Sequence, residues 1–343
     1  MTHLKAITAF APATIGNVIC GFDVLGLALE APGDRVTVRL QGERGVRISR
    51  IHGVVNDLPT EVERNSAGAA VAALVDAMAP DRGVEVEIEK GLPLSAGMGG
   101  SAASAVAAAV AADELLGTRS SQDELLTYAL EGERVAAGAS HADNVAPSLL
   151  GGLVLARPSG RRRIVPLPTP AGLAVALLHP HMELATREAR ALLGDSVSLS
   201  MAVEQLGHVA AFIHALHSHD HDLLADALVD RIAEPHRGPG IPALAEVRRQ
   251  ALASGALACG ISGAGPSLFA LCRDPASARE AGEAMVEAFG EASDLRSDLH
   301  VSPVAGRGAR VVEVEPGGAS TRDLSNGGSR GASVEPEGEE ALG

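Results

Sequence analysis

The chain of 343 residues carries 43 acidic against 28 basic side chains, a net charge of −15, with 46% hydrophobic and 21% charged residues. That is a core-forming composition, long enough for one large domain or two ordinary ones. The acidic balance argues against a general nucleic-acid or acidic-membrane binder, and 2% aromatic residues leave no base-stacking platform.

Residues 4–10 and 35–40 (RVTVRL) are predicted strands, the second alternating with period two. Between them, APATIGNVICGFDVLGLALE is punctuated by Pro and Gly and is predicted as a loop turning into a strand. Residues 65–78 are Ala-rich, with Asn65 or Ser66 as N-cap, which predicts a helix. GVEVEIEKG (83–91) sets Val84, Val86 and Ile88 on one face of a half-exposed strand. SAASAVAAAVAADELLG (101–117) predicts a helix of high propensity closed by Gly117, and a second helix follows over 122–137. HADNVAPSLLGGLVLA reads as a turn entering a strand, and the Pro- and Arg-rich stretch 160–170 as a domain boundary.

Beyond it come a strand at 173–178, helices between 185 and 253, and strands near 256–261 and 267–272. A helix at 277–289 and strands near 299–303 and 309–314 complete the pattern. From Pro316 the chain is Gly, Ser and Glu with little to bury, which predicts a disordered acidic tail over 315–343. No apolar run reaches the roughly 20 residues that span a bilayer. The first ten residues lack the apolar region of a signal peptide. With three scattered cysteines, a reducing cytoplasm is the expected location and no membrane or nucleic-acid partner is expected.

The glycine loop between strand 84–90 and the helix from Ser101 carries the strongest chemical signal. A helix N-terminus with unpaired N–H groups attracts phosphate. Gly97, Gly99 and Gly100 remove the Cβ atoms that would hold phosphate oxygens off the backbone. Ser101 stands where a hydroxyl can cap the helix or reach a metal on the phosphates. The loop is neither a Walker nor a Rossmann fingerprint, and a plain tight turn into a helix is the competing reading.

PLSAGMGGSAAS resembles the second motif of the GHMP kinases (galactokinase, homoserine kinase, mevalonate kinase, phosphomevalonate kinase), PxxxGLGSSAA. Pro93, Gly97, Gly99, Ser101, Ala102 and Ala103 match, while Met98 replaces Leu and Gly100 replaces the first Ser. APATIGNVICGFDVLGLAL resembles the N-terminal motif of homoserine kinases, and GISGAGPSLFAL (260–271) the third GHMP motif. The resemblance covers nearly everything except the tail. It implies an α+β fold of two domains: a ribosomal protein S5 domain 2-like, ATP-binding GHMP kinase N-terminal domain (1–170) and a ferredoxin-like GHMP kinase C-terminal domain (171–314). ATP would meet Pro93, Leu94, Ser95, Ala96, Gly97, Met98, Gly99, Gly100, Ser101 and Ala102, with Asn65 lining the nucleotide pocket.

EGERVAAGASHADNVAPSLLGG (131–152) resembles homoserine kinases in which a Glu precedes an HxDNxAP segment by eight residues. This implies Ser101 and Glu133 as ligands of Mg²⁺. Asn144 stands where many GHMP kinases carry an Asp base, and an amide takes no proton at neutral pH. The implied chemistry is therefore direct attack by an oriented hydroxyl. Asp143 is the rival base, ranked below Asn144 because neighbours in an extended segment point to opposite sides. ELATREARALLG (183–194) and AEPHRGPGIP (233–242) resemble the TxxAR and EPxRxxxIP segments of homoserine kinases, which implies Thr186, Arg190 and Arg237 around a substrate carboxylate. Asp23 would take the ammonium, with Asn17 and His141 facing the substrate.

The implied activity is ATP-dependent phosphorylation of the L-homoserine side-chain hydroxyl to O-phospho-L-homoserine, in threonine biosynthesis. Another small-alcohol kinase, or a catalytically silent ligand sensor on the same fold, are the alternatives. A homodimer is left open. The His-rich tract 214–222 and the pair His179 and His181 read as solvated side chains rather than metal ligands.

Overall fold

In the computed structural model the described residues are 4–138, 141–159 and 163–317. The tail read from 315 onward begins too early, since Glu315 and Pro316 are paired in a strand with Ala6 and Leu4; after residue 317 it lies outside the described residues. β1 (Leu4–Gly16) alternates over its first half, but residues 11–16 are buried on both faces, which carries the strand past the predicted end. β2 (Leu25–Gln41) runs antiparallel to β1. Its last residues pair with β4 (Gly83–Lys90), its first with β5 (Leu153–Ala156).

Two strands escaped the sequence reading. β3 (Gly45–Gly53) lies parallel to β4, and β6 (Ile164–Leu167) pairs with β5 inside the stretch read as a boundary. β7 (Ala174–Pro180), β8 (Ala258–Ile261), β9 (Leu268–Cys272) and β10 (Ser297–Pro303) form a second, antiparallel sheet in the order β10-β7-β9-β8. The strand expected near 309–314 was placed with that second unit. Instead β11 (Arg310–Pro316) closes the first sheet against β1, giving the order β11-β1-β2-β4-β3.

On the first sheet lie α1 (Ser66–Met78) and α2 (Gly100–Leu116), and α3 (Gln122–Ala137) packs against those two helices. α2 is buried almost all round, which its alanines permit by letting neighbours close in. A Cβ on Gly132 of α3 would stand 2.2 Å from the Ser66 carbonyl oxygen, so only glycine allows that helix contact. Capping follows the sequence: the Asn65 side chain accepts from the N–H groups of Ala67 and Gly68, and Ser121 with Glu124 closes a capping box on α3.

HADNVAPSLL is not a turn but α4 (Ala142–Leu150), with Pro147 inside it. A proline inside a helix removes one backbone hydrogen bond. The helix persists because it packs on β2 at Gly26, where a Cβ would lie 1.8 Å from the Asp143 carbonyl oxygen.

Toward the second sheet run α5 (Thr186–Ala191), α6 (Leu199–Ser218), α7 (His221–Ala227), α8 (Glu234–Arg237), α9 (Leu244–Ala253) and α10 (Pro275–Ala292). α6 is long and apolar enough, by length and composition, to cross a bilayer, which the sequence reading passed over. Its buried Gln205 donates to the carbonyls of Cys20 and Val229, and Phe212 and Leu216 lie in the core. All three cysteines are unpaired, and burial pushes their thiols up to about 12.

One buried charge pair joins sheet to helix. Lys90, at the end of β4, bonds Asp34 of β2, and both are essentially solvent-free (3% and 0% exposed). Its ammonium also donates to the Gly100 carbonyl (3.0 Å) and the Ser104 hydroxyl (2.9 Å), so all three protons are used. Asp34 accepts from the N–H groups of Gly91 and Leu92 and from the Ser104 hydroxyl. Breaking a buried pair strands its partner, so Lys90→Met is expected to lower the unfolding free energy by about 3–5 kcal/mol. Urea unfolding measures this; a loss under about 1 kcal/mol would show that the pair does not hold the sheet to α2.

Candidate active site

The glycine loop, the 17–24 loop and the turn after β8 meet at a cavity of about 550 Å³. Thr14 N–H donates to the Met98 carbonyl (3.0 Å), Gly263 N–H to that of Gly16 (3.1 Å), and the Ser262 hydroxyl to that of Gly97 (2.6 Å). These bonds lock the three motif segments together.

Gly97 (φ 73°) and Gly99 (φ 68°) hold left-handed backbone. Added Cβ atoms there would lie 2.4 Å from the Ser262 carbonyl oxygen and 2.0 Å from Thr14 Oγ1. Protein contacts thus demand glycine at both positions, independently of any phosphate. Gly100 differs: it is helical, and a Cβ would find nothing nearer than 3.5 Å. A serine would fit there.

Every candidate site residue taken from the sequence lines this cavity except Ala102, which α2 turns into the core (0% exposed). That expectation is corrected. Asn65 reaches the wall, but its amide is spent on the α1 cap and the Pro59 carbonyl.

Asn17, Val18, Ile19 and Asp23 all have φ between 44° and 69°. Left-handed backbone at two β-branched residues in succession is strained. Burial of Val18, Ile19 and Cys20 offsets the strain. So does the amide of Asn17, which donates to the Gly263 carbonyl (2.9 Å) and accepts from Asp23 N–H (2.9 Å). The loop thereby presents Asp23 to Arg190, whose Nη2 donates to Asp23 Oδ2 at 2.6 Å. Arg237 is 4% exposed and donates to the carbonyls of Gly263 and Ala189. Burial, with the nearby Arg190 charge, pulls its guanidinium pKa down.

Across the cavity the Ser101 hydroxyl donates to Glu133 Oε2 (2.6 Å), and His141 Nδ1 lies 3.2 Å from Glu133 Oε1. That hydrogen bond raises the His141 pKa. A hydroxyl beside a carboxylate suits a hard divalent cation. Among the described residues no group of three or more His, Cys, Asp or Glu could hold a metal, the His-rich tract included. A cation at Ser101 and Glu133 would therefore need oxygens from a ligand to complete its shell.

Asp143 and Asn144 sit in the first turn of α4, so the argument that they point to opposite sides fails. Both reach one spot: a Cβ on Gly16 would be 2.6 Å from Asp143 Oδ2 and 2.8 Å from Asn144 Nδ2. Thr14 donates to Asn144 Oδ1 (2.9 Å), fixing the amide with its N–H₂ side free. Asp143 accepts only from Asn17 N–H, and its buried Oδ1 has no partner among the described residues. Lys90, Asp34, Ser104, Thr14 and Gly263 were not singled out from sequence. Thr14, Ser104 and Gly263 lie inside the quoted motif segments, and Lys90 is one of two lysines in an arginine-rich chain; Asp34 left no signal.

Burial, then the Asp23 charge, raises the Asp143 pKa to about 6, against about 4 in an unfolded chain. The folded state holds that proton more tightly, so this group's contribution is full below about pH 4 and lost as pH rises to about 6. Asp143→Asn should therefore gain stability relative to the parent chain across that window and level off above it. Paired urea titrations from pH 4 to 8 test this; a flat difference would show the carboxylate to be fully compensated.

The family described as "GHMP kinases N terminal domain" matches residues 65–152, and "GHMP kinases C terminal" matches residues 212–292. A homoserine kinase of Chlorobium phaeobacteroides (strain BS1) is 45% identical over 320 residues, covering 90% of this chain and 100% of that one. One from Xanthomonas campestris pv. campestris (strain B100) is also 45% identical, covering 90% and 95%. The crystal structure of a Cytophaga hutchinsonii homoserine kinase superposes with a TM-score of 0.85 at 42% identity, over 90% of this chain and 98% of that one. L. major mevalonate kinase, at 15% identity and a TM-score of 0.64 over 86% and 95%, shares the fold alone. The two-domain α+β architecture, the glycine loop on α2 and this likeness along nine-tenths of the sequence agree: the chain belongs to the GHMP kinases, in their homoserine kinase branch.

Proposed function

We propose that this kinase transfers the γ-phosphoryl group of ATP to the side-chain hydroxyl of L-homoserine, giving ADP and O-phospho-L-homoserine for threonine biosynthesis. One observation carries the reading most: one cavity holds a phosphate loop at one end and an acid–guanidinium pair matched to an amino acid at the other. The substrate carboxylate would sit on Arg190 and Arg237, with Thr186 beside them, and the ammonium on Asp23. Asn17 closes that side of the pocket, and His141, beside Glu133, would face the substrate from across the cavity.

The loop from Pro93 to Ser101 would receive the phosphates through backbone N–H groups and the α2 dipole. Ser101 and Glu133 fit Mg²⁺, since their oxygens are hard donors 2.6 Å apart in the cavity wall. Held there with the nucleotide, Mg²⁺ would supply charge neutralisation for the phosphates. The free N–H₂ of Asn144 would orient the substrate hydroxyl. The hydroxyl oxygen attacks phosphorus in line, and its new bond forms as the bond to the β,γ-bridging oxygen breaks. ADP keeps that electron pair, and the hydroxyl proton passes to the transferred phosphoryl group or to solvent. A loose transition state asks for positioning and charge neutralisation more than for a strong base. Three unpaired, buried cysteines support a cytoplasmic setting.

A coupled ADP-release assay with Mg-ATP and a panel of L-homoserine, L-threonine, mevalonate, galactose and shikimate tests the substrate. Strong release with L-homoserine alone is expected. Activity on another alcohol would overturn the substrate reading, and ATP binding without turnover would make the chain a sensor. In the same assay Glu133→Ala should lower kcat by about 100-fold or more. An unchanged kcat at saturating Mg²⁺ would remove Glu133 from the metal site.

A further inference from the structure

The carboxylate end of the cavity contains an aromatic ring with no role yet. Phe22 lies beside Asp23 in the strained 17–24 loop, half-buried, and belongs to neither hydrophobic core cluster. The chain has only five phenylalanines, and three of them (Phe212, Phe269 and Phe289) fill the core. Phe22 instead carries cations. The Arg190 guanidinium carbon stands over its ring, 5.1 Å from the centroid, and that of Arg237 stands 5.7 Å from the same centroid. Both distances fall within the range of a cation–π contact.

The charges around the ring explain why one is needed. Arg190 has Asp23 as counter-charge, whereas Arg237 is buried with no carboxylate partner among the described residues, only two carbonyls. Two guanidinium groups gathered at one point repel each other until an anion joins them. The negative face of an aromatic ring attracts both and competes for neither one's hydrogen-bonding protons.

We propose that Phe22 is a positioning residue: its ring holds Arg190 and Arg237 together, ready for a single substrate carboxylate. This rests on the reading of the two arginines as the carboxylate clamp. The ring takes no part in phosphoryl transfer. It acts on the substrate's acidic end through the arginines, so its removal is felt in amino-acid binding and not at the nucleotide.

The test is steady-state kinetics on Phe22→Leu, which keeps an apolar side chain and removes the π-face, beside Phe22→Tyr, which restores it. Turnover of L-homoserine by the parent chain first tests the substrate reading on its own. Given that turnover, the leucine variant should raise KM for L-homoserine by about 10-fold, with KM for Mg-ATP and kcat within about two-fold of the parent, and the tyrosine variant should recover most of the loss. A double-mutant cycle with Arg190→Ala gives the decisive comparison. In that background Phe22→Leu should lose much of its effect on kcat/KM. Additive losses, equal increases in both KM values, or no recovery with tyrosine would each overturn the proposal by showing a ring that only fills space. Should the leucine variant not be obtained folded, Phe22→Met gives the same comparison.

Discussion

Lys90 and Asp34 set where the glycine loop can lie. Asp34 accepts the N–H groups of Gly91 and Leu92, where the loop begins, and Lys90 donates to the Gly100 carbonyl, where it ends. A ten-residue excursion is thus pinned at both feet to one buried ion pair. Entropy that an untethered loop would lose on gripping a ligand is already lost on folding. The pair is also electrically closed. With every ammonium proton engaged inside the protein, Lys90 stands in the cavity wall without offering a hydrogen bond to a phosphate. On the proposed reading that work would fall to backbone N–H groups and the amino end of α2, fixed dipoles that need no rearrangement as charge moves.

The same economy of shared atoms governs the Asp23–Arg190 side of the cavity. The Gly263 carbonyl receives both Asn17 from the first sheet's loop and Arg237 from α8. That oxygen belongs to the turn after β8, so the position of the second sheet is written directly into the geometry of the first sheet's loop. The left-handed run at 17–19 is the conformational cost of this arrangement. It persists because Val18 and Ile19 are buried and Cys20 is held by Gln205 of α6.

Much of this was legible from sequence because the chemistry sits in contiguous motifs. The glycine loop and Ser101 stand out from their local pattern, whereas Glu133 and the two arginines were singled out only by resemblance to family segments; all of them line the one cavity. What stayed hidden depends on packing between distant segments. Pro147 reads as a helix breaker unless one knows that Gly26 lets α4 settle on β2. Asp143 and Asn144 looked opposed only because their segment was taken as extended. Gly97 and Gly99 looked like concessions to phosphate, whereas Ser262 and Thr14 crowd them from remote positions. Asp34, 56 residues from Lys90, carries no local sign of its partner. Ala102 matched a motif whose alanines face the core, and a pattern match alone does not separate wall from filling.

The placement of β11 bears on how the molecule is made. Its residues pair with β1 across about 300 positions of sequence, the longest span any strand pair in the two sheets must close. At translation rates of 5–20 residues per second, about 15–60 s separate the emergence of the two strands. Throughout that interval the outer edge of β1 presents its unpaired N–H and C=O groups to whatever is nearby. A nascent chain in which the whole second sheet has already appeared still has an unfinished first one. Protection of that edge during synthesis therefore has to come from outside the fold, or from speed.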